Sequence, residues 1–129
     1  MTYDFKPMNM ITGLPKDYHI IADIVYIPMV WMAPKLFHFE EEQTVATICK
    51  ISSASDYVYS LFTDAPWGAH KIISYQAHSL IDVAQGAAAL TAAIALPIKN
   101  KRARNTLLVM GITGLVIGTL SWIGSKRED

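Results

Sequence analysis

Cysteine occurs once in this chain, at Cys49. That excludes an internal disulfide and leaves no thiolate metal site or redox pair, so Cys49 reads as a small buried apolar residue. Charge is scarce as well. Charged residues make up 17% of the 129 residues, against roughly 25% in soluble domains, and they cluster in short stretches. Eleven basic and eleven acidic residues cancel, so there is no electrostatic footprint for nucleic acid. P-loop, GxSxG, HExxH and CxxC patterns are all missing, which removes the common catalytic constellations and argues against an enzyme. The opening Met1-Thr2-Tyr3-Asp4-Phe5-Lys6-Pro7 lacks the basic-then-apolar order of a secretory leader, so membrane insertion is expected to rest on the first apolar segment.

What the chain has is hydrophobicity, 52% of its residues, in four stretches near the ~20 residues that a hydrocarbon core requires. The first runs from Tyr18 to Phe39 and holds Pro28 and Pro34, which a membrane bundle tolerates. The second, Thr44 to Phe62, carries Lys50, Asp56 and several serines. A central Lys or Asp is penalised by ~2.5–3.5 kcal/mol on insertion scales, so Lys50 and Asp56 are expected to face neighbouring helices, a wet cavity or a partner subunit. The third, His78 to Ile98, is rich in Ala and Gly and suits close helix contact. The fourth, Thr106 to Ile123, is uncharged and contains Gly114-Leu115-Val116-Ile117-Gly118, a GxxxG.

Short polar stretches separate these spans. They predict an interfacial arm over 1–17, a first transmembrane hairpin over 18–64 and an interfacial connection over 65–77. A second hairpin over 78–123 and a polar tail over 124–129 complete the chain. Trp67 and Tyr75 suit a headgroup belt, and His38 and His70 read as interfacial. Glu40, Glu41 and Glu42 form a solvated turn. Lys99, Lys101, Arg102 and Arg104 are the densest basic group. They are assigned to lipid headgroups and, by the positive-inside rule, to the cytoplasmic side. Counted with this group, Lys and Arg tie at five on each side, so its clustering in one tight loop decides the orientation.

One pattern occurs twice. His19-Ile20-Ile21-Ala22-Asp23 returns as His78-Ser79-Leu80-Ile81-Asp82, each near the start of an apolar stretch and 59 residues apart. A His and an Asp at this spacing share one helix face, and the recurrence points to duplication of a helical hairpin. Two such hairpins close a four-helix bundle, related by a pseudo-twofold axis along the membrane normal.

With Ala33-Pro34-Lys35-Leu36-Phe37 and Leu96-Pro97-Ile98 after the two pairs, the arrangement resembles small bacterial membrane proteins of the Ser-Pro-Trp (SPW) repeat type. The resemblance implies a four-span protein of a bacterial inner membrane and no particular activity. The expected function is a non-enzymatic accessory or structural subunit of a larger membrane complex, with Lys50 and Asp56 meeting partner subunits. In that reading Asp23 and Asp82 hold their histidines near the interface and no metal is assigned. One alternative makes His19 and His78 axial ligands of a haem, or sets the two His and two Asp around one metal in a redox protein. Another makes the polar set a proton or ion path in an oligomer.

Overall fold

In a computed structural model the chain is all-helical, with four helices and no named strand among the described residues, 12–128. Residues 1–11 and Asp129, hence most of the arm predicted over 1–17, lie outside that range. The helices are α1 (Lys16–Leu36), α2 (Gln43–Leu61), α3 (Tyr75–Ala95) and α4 (Lys101–Glu128). Two of the four, α1 and α4, are long and apolar enough to cross a membrane.

Helix boundaries depart from the sequence reading where a cap decides. The Ser74 side chain accepts a hydrogen bond from Ala77 N at 3.0 Å, starting α3 about a turn before His78. Asn100 Oδ1 accepts from Arg102 N at 2.9 Å, so α4 begins at Lys101 and absorbs most of the basic stretch predicted to be a loop. Arg and Lys are good helix formers once a cap is in place. At its far end α4 continues through most of the predicted polar tail, to Glu128.

The helices pack as two hairpins, α1 with α2 and, most intimately, α3 with α4. Glycine sets the closeness of the second pair. A Cβ on Gly86 would lie 2.7 Å from Leu115 N, and one on Gly114 2.7 Å from the Gly86 Cα. The two backbones therefore touch, the close approach that small-residue motifs permit.

One end of the bundle is fastened by polar groups. Glu42 Oε1 accepts from Lys99 N and Asn100 N, both at 2.8 Å. Asn100 Nδ2 donates to the His38 carbonyl and to Glu41 Oε1, holding the Glu41 carboxyl below its usual carboxylate range. The acidic turn is thus a clasp on the start of α4. Arg104 donates to the Ala93 and Ile98 carbonyls at 2.8 and 2.9 Å. This capping of α3 corrects its assignment to lipid headgroups, whereas Lys99, Lys101 and Arg102 are exposed.

At the opposite end Gly13, Leu14 and Pro15 are buried rather than interfacial. Leu14 N donates to Leu120 O at 2.7 Å, tying the segment before α1 to α4. Tyr75 is likewise not in a headgroup belt. It is fully buried and its hydroxyl donates to Leu14 O at 2.7 Å.

Polarity is distributed inside out. His19, Asp23, Ser53, Asp56, Ser60, Thr63, His78, Ser79 and Asp82 are buried, while Ile24, Ile72, Ile94 and Val109 are each more than 60% exposed. The exposed face of α3, from Leu80 through Ala84, Ala87, Ala88 and Thr91 to Ile94, carries no charge.

Candidate metal centre

The i,i+4 spacing that repeats in the sequence turns each His and Asp toward the bundle axis, and both pairs arrive at one point. His19 Nε2 and His78 Nε2 are 2.9 Å apart. Asp23 Oδ2 lies 3.3 Å from His19 Nε2 and 3.5 Å from His78 Nε2. Asp82 Oδ2 lies 3.2 and 3.5 Å from the same two nitrogens. Each carboxylate therefore faces both imidazoles rather than holding only its own. Both histidines are completely buried, not interfacial, and Asp23 and Asp82 are nearly so.

Five of the six separations among these four donor atoms are thus 2.9–3.5 Å, and two overlapping sets, His19 with Asp23 and His78, and Asp56 with His78 and Asp82, are each close enough together to hold a metal ion. An ion bound at the ~2.0–2.2 Å that zinc takes to His nitrogen and carboxylate oxygen spaces tetrahedral donors roughly 3.3–3.6 Å apart, close to the His–Asp separations of 3.2–3.5 Å. A haem does not fit. Axial imidazoles on one iron would stand about 4 Å apart at such bond lengths, not 2.9 Å, and the carboxylate oxygens occupy the plane the macrocycle needs.

The outer nitrogens are held in a reciprocal pattern. His78 Nδ1 lies 2.8 Å from Thr63 Oγ1, just past the end of α2, and His19 Nδ1 lies 2.6 Å from Ser121 Oγ near the end of α4. Each hairpin thus supplies the hydroxyl that orients the other hairpin's histidine. Thr63 Oγ1 donates its own proton to the Tyr59 carbonyl at 2.7 Å. It must therefore accept from His78 Nδ1–H, and in the neutral imidazole that puts the lone pair on Nε2, the tautomer a ligand requires.

Aromatic rings close the site. Trp67 stacks on His19 with ring centroids 6.2 Å apart, and Tyr75 meets the same ring edge-on at 5.5 Å. Tyr59 OH donates to Asp82 Oδ1 at 2.5 Å. Asp56, predicted to need a neighbour, is buried beside the cluster and accepts from Ser60 Oγ at 3.2 Å. A cavity of about 30 Å³ lies among Asp23, Asp56, Tyr59, Asp82 and Gln85, room for about one water.

Lys50 lies elsewhere, exposed, with its ammonium 4.1 Å from the centre of the Trp31 ring. As their spacing predicts, Lys50 and Asp56 do not meet. Thr63, Ser121, Tyr59 and Trp67 join the site from outside the repeated His–Asp pattern. The available signal was a hydroxyl at the end of the second helix of each half, Thr63 and Ser121. Comparison with protein-family models, curated proteins and solved structures finds no match for this chain.

Proposed function

We propose that this is a four-span membrane protein, built from two tandem hairpin repeats of the SPW type, that binds one divalent metal ion of the zinc class through His19, Asp23, His78 and Asp82. The observation that carries the reading is the convergence of Nε2, Oδ2, Nε2 and Oδ2 within 2.9–3.5 Å of one another along the His–His and His–Asp edges. Two carboxylates balance a divalent charge, and two neutral imidazoles complete a set that suits zinc over the harder magnesium or calcium. Four protein donors make a closed site, the kind used for structure rather than hydrolysis. The ion bridges the hairpins, two donors from each, so its role is to lock the bundle.

The inside-out polarity supports four spans, because apolar exposed faces suit lipid and the buried polar groups find one another. Asp56 finds its neighbours inside the bundle, whereas Lys50 stays exposed beside Trp31, the outward placement that an accessory subunit meeting a partner would use. The test is the metal content of protein purified in mild detergent without chelator, by inductively coupled plasma mass spectrometry. The expected result is one divalent ion per chain, lost in His78→Ala and in Asp23→Ala. A metal-free parent that also fails to take up zinc or cobalt sinks the reading.

A further inference from the structure

Between α1 and α4 runs a groove of about 620 Å³, within the range of small-molecule sites. It is bounded by α1 from Ala22 to Phe37 and by α4 from Arg102 to Ile117. At 1.5 Å per residue, those sixteen-residue stretches make it about 22 Å long. Its walls are apolar, with Val25, Met29 and Val109 exposed along it. Its one charged group is at one end, where Arg102, Asn105 and Thr106 line it. The Arg102 side chain is exposed and pairs with no carboxylate among the described residues. Arg104, two residues on and near the opposite face of α4, is by contrast committed to the Ala93 and Ile98 carbonyls.

We infer that this groove is a binding site for one anionic membrane lipid, its headgroup phosphate on Arg102 and one acyl chain lying between α1 and α4. The charge falls where a headgroup would sit, at the start of a membrane-length helix, and the apolar length below it suits a single chain. A peptide helix is a poorer occupant, because it would leave the lone guanidinium without an anion and its own backbone dipoles at the apolar wall. The inference extends the general attraction of basic residues for anionic lipid to one residue and one chain. It needs α1 and α4 in a membrane but no ion in the centre.

The inner end of the groove shares Ala22, Tyr26, Thr113 and Ile117 with the 30 Å³ cavity beside Asp23 and Asp82. A chain seated in the groove ends there and shuts that cavity from the bilayer.

The experiment is native mass spectrometry of the full chain in mild detergent, with phosphatidylglycerol or phosphatidylcholine added in equal amounts. One phosphatidylglycerol per chain is expected to be retained in preference to phosphatidylcholine. Arg102→Gln is expected to lower that preference about fivefold, the loss of one charge–headgroup attraction, while Lys101→Gln leaves it unchanged. Val109→Trp, at an exposed position, fills the groove and removes bound lipid of both kinds. Circular dichroism of each variant checks that its helices persist. Equal retention of the two lipids, equal effects of the two charge variants, or lipid binding untouched by Val109→Trp overturns the inference. So does inorganic phosphate displacing the lipid completely at millimolar concentration, since the chain would then contribute nothing. Metal content measured on the same samples reports separately on the ion site.

Discussion

At the residue scale the proposed metal site depends on a proton at Nδ1 of His78, and Thr63 holds it there. Its hydroxyl is tied to the Tyr59 carbonyl and so accepts from Nδ1. Thr63→Val keeps the shape and removes the acceptor. It is expected to weaken metal affinity by ~10–100-fold, as loss of a partner behind a metal-bound His commonly does, in competition titrations against a chromophoric chelator. Cobalt(II) provides an independent view: in the parent it should give the strong visible bands of a tetrahedral ion, and in Asp82→Asn weaker, shifted ones. The four residues were legible in the sequence as two His–Asp pairs, because i,i+4 spacing fixes a shared helix face. Their convergence was not, because nothing local shows that the two faces meet at one depth. Thr63 and Ser121 were illegible for a related reason, since each serves a histidine on the opposite hairpin.

At the scale of elements, the α3–α4 pair rests on backbone contact at Gly86 and Gly114. Gly114→Leu forces the helices apart, an overpacking that typically costs ~1–3 kcal/mol and here also tilts α3 with His78 and Asp82. Thermal unfolding in detergent should show a lower midpoint, and metal uptake should fall with it. Asn100→Ala tests the other end. Loss of an N-cap costs about 1 kcal/mol, and here the side-chain ties to His38 and Glu41 go as well. Its expected signature is a lower midpoint with metal content unchanged. The glycine contact was foreseeable from an Ala- and Gly-rich segment facing a GxxxG. The clasp was not, because a run of three glutamates is most simply solvated, and Glu42 becomes a cap only when Lys99 and Asn100 are brought across the bundle.

At the scale of the whole molecule, the proposed ion, held by both hairpins, would couple metal concentration to stability. Metal at 100 times its dissociation constant should stabilise the fold by ~2.7 kcal/mol, raising the midpoint, and a chelator should reverse the gain. The same titration on His19→Ala should be flat. Membrane topology is open to an equally direct measurement. Cysteines placed at Glu41 and at Lys126 in a Cys49→Ala background should be labelled by a membrane-impermeant maleimide from opposite faces of oriented vesicles. Labelling of both from one face would reject four spans. The all-helical class and the division into four elements were legible from hydropathy. The clearest support for membrane residence, polar groups within and apolar groups without, needed the fold, because alternating exposure cannot be assigned to a face until the helices are packed.

The reciprocal hydroxyls at Thr63 and Ser121 bear on how such a centre can arise. A single hairpin holds one imidazole, one carboxylate and one orienting hydroxyl, which is half of each layer of the site, and the hydroxyl is placed to serve a histidine other than its own. Two identical hairpins side by side, parallel across a twofold axis, would therefore assemble the whole arrangement with nothing added. If the hairpins are repeats of one ancestor, a chain of half this length, paired with a copy of itself around one ion, would be a sufficient forerunner. Joining the two copies would change the cost of meeting, not the chemistry at the meeting point.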